Sequence, residues 1–334
     1  MKLLKKLALT SALAATMVAG EVTAATEWNV SLWGARRAFT ENVEKLAELV
    51  AAKTNGDFKL NISYGGLSKP KENLDGITIG AFEMAQFCSF YHSDKNPTIT
   101  VSELPYLKNV SLARIAEIQA AVHKHPAVVK DLARWNATLL MPSPLPQYNI
   151  IGKGNVIKEL SDFSGVRVRG AGGMMDVLGA LGAVKTSVPF GEVRQSMDSG
   201  VIDAAAFAPH AHLATKTIDI GSYATTNLNL GTADCPVAVN SDALAALSPA
   251  NRDALLGSVE EAMKFYVDNY NTNTTAKYEA AVKEKGLALV TFTPAQTAEL
   301  DKLSVAVLDK WVEDNSKDFD SRELLEFTRK LYNQ

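Results

Sequence analysis

Apolar and polar positions alternate with period two at residues 28–33 and again at 58–64 (FKLNISY), the spacing of half-buried strands. Between them, residues 39–53 carry Val43, Leu46, Leu49 and Val50 at helical spacing and stop before Asn55-Gly56, a helix C-terminal signal. Gly65-Gly66 breaks the second strand, Pro70 opens a helix to about Gly80, and residues 82–87 read as a strand. The order β-α-β-α-β predicts a parallel sheet with covering helices. Helices at 111–122 and 127–135 and a strand at 138–141 follow. A second β-α-β-α-β run then spans 166–207, and residues 236–240 read as a further strand. From Ser248-Pro249, an N-cap followed by Pro, the helical pattern continues to Lys285, about 36 residues and far beyond the usual globular length. After a strand at 287–292, Thr293-Pro-Ala-Gln296 is a capping box opening another helix. Two α/β lobes without a polar linker, braced by one long helix, are expected.

The first 24 residues read as a secretory leader rather than part of this pattern. Lys2, Lys5 and Lys6 precede an apolar stretch of 13 residues, Leu7 to Ala19, too short to span a bilayer. Val22-Thr23-Ala24 supplies the small residues of a cleavage site. Cleavage takes away three lysines and Glu21, so the net charge of −3 becomes −5. A slightly acidic chain argues against a nucleic-acid partner. The expected location is a bacterial periplasm.

Enzymatic signatures are missing. There is no G-x-S-x-G elbow, H-E-x-x-H or P-loop, and Gly170-Ala-Gly-Gly173 lacks the third glycine of a dinucleotide fingerprint because position 175 is Met. His123, His125, His210 and His212 have no carboxylate or Cys at ligand spacing and read as surface histidines, so neither metal nor cofactor is expected. Cys88 and Cys235 either pair in an oxidising compartment or stay buried thiols; free thiols are the favoured reading. Arg169 is more informative. It ends a short strand just before a Gly-rich turn and a helix start, where a planar guanidinium and unpaired N–H groups together suit a carboxylate. Arg167 shares its strand face, so alternation alone does not separate the two.

Several motifs in order resemble the extracytoplasmic solute-binding proteins of TRAP (tripartite ATP-independent periplasmic) transporters. ELSDFSGVRVR at 159–169 is similar to that family's DLKGLKIR, VPFGEV at 188–193 to MPFSEVY, and SGVID at 199–203 to QGVVDG. Thr54-Asn55-Gly56 with YGGL at 64–67 is similar to TNG…YPGGQLG. The resemblance implies an α/β, two-lobed periplasmic binding protein fold with crossing strands and one long bracing helix. Lobe 1 would take 26–146 plus about 230–270, and lobe 2 would take 147–229 plus about 271–334. It also implies that Arg169 clamps a ligand carboxylate, that Phe190 lines the pocket, and that Trp33 stands near it. Asn149 occupies the position of a second polar or cationic group and is expected to hydrogen-bond the ligand. Phe207 replaces a pocket Asn, and Phe87, Phe90 and Tyr91 add aromatic character from the other lobe. Lys69, Arg36 and Arg37 are the cations within reach as a second charge; Arg36 and Arg37 otherwise read as solvated helix-start charges.

The implied function is uptake without chemistry: capture of a small organic carboxylate and its delivery to integral membrane subunits of a TRAP transporter. With one clamp and an aromatic wall, a monocarboxylate (aromatic, branched or 2-oxo) is favoured over a C4-dicarboxylate or a uronic acid. The alternatives are a binding protein of an ABC transporter or sensor and, less favoured, a secreted α/β enzyme.

Overall fold

The computed structural model describes residues 25–106 and 108–334; the leader read at 1–24 lies outside them. The chain first lays down β1 (Thr26–Leu32), β2 (Phe58–Tyr64), β3 (Met84–Gln86) and β4 (Ala137–Met141). It then crosses to β5 (Asn149–Gly152), β6 (Arg167–Arg169), β7 (Val184–Lys185), β8 (Ala204–Phe207) and β9 (Tyr223–Thr225). It returns to β10 (Val237–Asn240) and ends with β11 (Ala288–Val290) and two helices. Two sheets result, ordered β2-β1-β3-β10-β4 and β11-β9-β5-β8-β6-β7.

Each β-α-β run gives the parallel pairing its pattern predicts. β1 pairs in parallel with β2 and β3, and β6 with β7 and β8. The crossing strands enter antiparallel, β10 against β3 and β4, and β5 against β8 and β9. Two crossovers join the lobes side by side: Pro144 bridges Asp234, the Tyr148 N–H donates to Gly231 O (2.8 Å), and the Leu230 N–H donates to Tyr148 O (3.0 Å).

The expected bracing helix forms, but in pieces. Pro249–Leu256 and Val259–Asn269 are separated at Gly257-Ser258, and a π turn, Tyr270–Thr275, leads into Ala276–Glu284. The wider π turn is compatible with Tyr266, Tyr270 and Thr274 all being buried. Leu255 and Ala262 belong to the first lobe's core, whereas Tyr266, Tyr270 and Val282 belong to the second's, so the run does span both.

The last helices depart from the expected boundary. Pro294–Asn315 starts on the second lobe through Leu300, then buries Leu308 and Val312 in the first. Ser321–Asn333 buries Leu324, Leu325 and Tyr332 in the first lobe's core. Its C-terminal carbonyls are held there by cations, Lys108 on Tyr332 O (2.6 Å) and Arg114 on Leu331 O (2.6 Å). The tail of the chain thus packs on lobe 1, not lobe 2.

Among the described residues no helix is long and apolar enough to cross a membrane.

Candidate functional site

The carboxyl ends of the parallel strands meet between the lobes, which is where open α/β sheets bind ligands. Trp33 and Arg37 follow β1, and Phe90 and Tyr91 follow β3. Arg169 closes β6, Phe207 closes β8, and Phe190 begins the short helical turn after β7. These side chains line one inner cavity, together with Phe39, Tyr148, His210 and the two cysteines. The space open there to the centre of a water molecule is ≈ 30 Å³. A wider cleft of ≈ 1210 Å³ by the same measure lies outside it and shares Trp33, Arg37, Phe90, Tyr91, Arg169 and Phe190.

Two buried guanidiniums dominate the cavity. Arg169 is 6 % exposed and Arg37 8 %, and neither has a carboxylate partner among the described residues. Arg169 donates through Nε to Val188 O (3.3 Å) and lies 4.6 Å over Phe207. Arg37 donates through Nη2 to Trp33 O (2.6 Å) and stacks on Trp33 (4.0 Å), Phe39 (4.6 Å) and Phe190 (5.0 Å). Phe190 and Phe207 meet edge to face at 5.7 Å. Ring faces offset part of the cost of burying a cation, but they cannot replace an anion. Burial accordingly lowers both arginines from their usual range, Arg37 to about 10. Nε of Arg37 and Nε1 of Trp33 are fully buried without a hydrogen-bond partner.

The structure rearranges the expected set. Arg167, which shares the strand with Arg169, pairs with Asp203 at 2.5 Å and points away from the cavity's lining. Trp33, Phe90, Tyr91, Phe190 and Phe207 line the same cavity as Arg169. Arg37, expected as a solvated helix-start charge, is buried in the cavity lining. Arg36, its neighbour, is instead exposed at the outer cleft and ion-paired to Glu44 (2.5 Å). Lys69 is exposed at that outer cleft too. Phe87 is fully buried in the first lobe's core, 5.3 Å from the ring of His92, and does not line the cavity.

Asn149 also has another task. Its Oδ1 accepts from the Thr225 hydroxyl (3.2 Å) and the Leu228 N–H (3.0 Å), and Nδ2 donates to Asn229 (3.2 Å). It ties the two crossovers together and leaves the cavity to its ladder partner Phe207. The helix after the Gly-rich turn, Met174–Ala180, contributes no N–H groups to the inner cavity. Gly172, at φ +54°, instead lets the second lobe approach Glu103 of the first: a Cβ there would sit 3.0 Å from Glu103 Oε2.

The histidines are buried rather than surface residues. His123 reaches Asp234 (2.8 Å), His125 reaches Glu323 (3.0 Å), His210 reaches the Tyr270 hydroxyl (2.8 Å), and His212 reaches Thr217 (2.8 Å). Each finds a polar partner far along the chain or around a turn, which alternation cannot foretell. Among the described residues no His, Cys, Asp or Glu group is arranged for a metal. Cys88 and Cys235 are joined by a disulfide, against the free-thiol reading. The register that lays the return crossover beside the exit of β3 brings them together, with the Ser89 N–H on Asp234 O (3.0 Å).

Residues 30–315 match the family described as bacterial extracellular solute-binding protein, family 7. A curated relative, the outer membrane transporter protein TsaT of Comamonas testosteroni, is 23 % identical over 86 % of this chain and 85 % of its own. A marine metagenome TRAP solute-binding protein specific for aromatic acids, solved with 3-hydroxybenzoate, superposes with a TM-score of 0.82 at 18 % identity, covering 93 % of this chain and 99 % of its own. DctP7 of Bordetella pertussis, an extracytoplasmic solute receptor binding pyroglutamic acid, gives a TM-score of 0.79 at 22 % identity over 91 % of this chain and 100 % of its own.

Proposed function

The chain belongs to the bacterial extracellular solute-binding proteins of family 7, and from that premise we propose that it is the periplasmic receptor of a TRAP transporter for a small monocarboxylate. The observation that carries the reading is the pair of buried arginines in an aromatic cavity, one from each lobe and neither with a carboxylate partner among the described residues. A carboxylate placed there meets the fork of Arg169 and the charge of Arg37 in a site with little water, where ion pairing is strongest. Phe190, Phe207 and Trp33 enclose its body. On this reading the protein binds its ligand and hands it over unchanged to membrane subunits.

The likeness to receptors of 3-hydroxybenzoate and pyroglutamic acid, each a monocarboxylate, supports the ligand class. A second reading, a C4-dicarboxylate, is favoured by Arg37, because two buried cations can offset two ligand charges. Titration of the purified, ligand-stripped protein with butyrate and succinate separates the two. Tighter binding of butyrate supports the monocarboxylate receptor; tighter binding of succinate assigns one carboxylate to each arginine.

A further inference from the structure

We propose that His210 is a specificity-determining donor that reads an acceptor oxygen on the carbon beside the ligand carboxylate, so that the site prefers 2-oxo acids to the matching acids without that oxygen and rejects 2-amino acids. This rests on the carboxylate reading above and adds a residue and a ligand feature to it.

Tyr270, on the π turn of the bracing run, is fully buried. Its hydroxyl faces His210 twice: the backbone N–H of His210 is 3.2 Å away and Nδ1 of the ring 2.8 Å away. The backbone group can only donate, so the phenol oxygen accepts there. The phenol proton then has one acceptor within reach, Nδ1, and a buried hydroxyl proton left unpaired would be costly. With Nδ1 accepting, the imidazole carries its own proton on Nε2. Burial first, then the charge of Arg37 and the neighbouring His212, holds the ring neutral by lowering it to about 3. His210 is therefore one fixed donor and not a second cation.

Nε2 has no hydrogen-bond partner among the described residues, and the ring lines the inner cavity beside Phe39 (5.5 Å). The other polar groups there are of the same kind. Both guanidiniums can only donate, the Tyr148 and Tyr91 hydroxyls can do either, and among the described residues no Asp or Glu lines the space. A ligand oxygen that accepts is thus served on several sides. A ligand ammonium would meet two cations and no anion. His210 and Arg169 line the same inner cavity, so one small ligand can meet both.

Calorimetry on the ligand-stripped full chain with 3-methyl-2-oxobutanoate, 3-methylbutanoate and valine tests this. Wild type is expected to bind the oxo acid about tenfold more tightly than its deoxy partner, the worth of one well-made hydrogen bond, and valine not at all. His210→Gln, which keeps an N–H near the position of Nε2, should retain the preference. His210→Asn should abolish it, so that the oxo acid and 3-methylbutanoate bind alike. Should His210→Asn not fold, Tyr270→Phe, which frees the ring to carry its proton on either nitrogen, should reduce the preference. An undiminished preference in both variants, equal loss of both acids, or binding of valine by wild type overturns the proposal. A wild type that binds neither acid overturns the carboxylate reading itself, and the role of His210 with it.

Discussion

The guanidinium of Arg37, on the first lobe, lies 5.0 Å from the ring of Phe190, on the second. The contact exists only because the lobes meet, and it covers a cation that has no carboxylate partner among the described residues. On the proposed reading, ligand charge and lobe closure are coupled. A carboxylate seated between Arg37 and Arg169 attracts a cation from each lobe, so it binds the closed arrangement better than an open one, which is the condition for a ligand to shift that equilibrium.

Arg169→Lys keeps the positive charge but not the planar fork. Losing one charge-assisted hydrogen bond, worth about 1.5–3 kcal/mol, should weaken carboxylate binding at least tenfold. Calorimetry on the folded variant checks it, and wild-type affinity would remove Arg169 from the clamp.

Arg37→Gln removes the second cation while retaining a group that can donate to Trp33 O. Because burial alone disfavours the charge at this site, the ligand-free variant should melt no lower than wild type, yet bind the ligand more than tenfold more weakly. Thermal melts with and without ligand separate the two effects. A variant that loses stability but not affinity would make Arg37 a packing residue.

Glu103 predicts a pH dependence. Burial outweighs its hydrogen bonds from Ser89 and the Phe90 N–H (3.1 Å) and pushes its carboxyl up to about 8. The folded chain thus keeps a proton that the unfolded chain, with an ordinary value of about 4.3, has already released. The resulting stability is complete below that ordinary value and is lost as pH rises through the folded one. The melting temperature of wild type relative to Glu103→Gln should therefore fall between pH 5 and about 9. A constant difference would mean that Glu103 ionises normally in the fold.

The disulfide between Cys88 and Cys235 closes a sequence separation of 147 residues next to the cavity. Replacing both with Ser should cost about 2–4 kcal/mol, chiefly by freeing the unfolded chain. Chemical denaturation in oxidising buffer measures this, and an unchanged midpoint would show that the bridge contributes nothing to stability.

Local features were legible in the sequence because local chemistry fixes them. β2 spans the residues its alternation marks, the Thr293–Gln296 capping box forms, and Asn55 and Gly56 take positive φ after the first long helix. The aromatic cluster around Arg169 was legible through motif order. Features made by distant partners were not. Arg36 and Arg37 look alike in sequence, and what separates them is Glu44 beside one and Phe190 of the other lobe over the other. Trp33 and Phe39 flanking Arg37 were the available signal, since an arginine between two aromatics readily stacks. Asn149 points to the ligand only through its place in the motif order; its partners, at 225–229, lie in a stretch that the hydrophobic pattern leaves blank. β5 and β9, short and next to those crossovers, were missed for the same reason.

The central claim is that the inner cavity recognises a carboxylate by its charge. Titrating the ligand-stripped protein with benzoate and with benzamide tests it most directly, because the two share shape and ring and differ in the anion. The account predicts that benzoate binds with the amide at least a hundredfold weaker, as expected when two buried cations lose their counter-charge. Equal affinity for the two, or tighter binding of the amide, would contradict it.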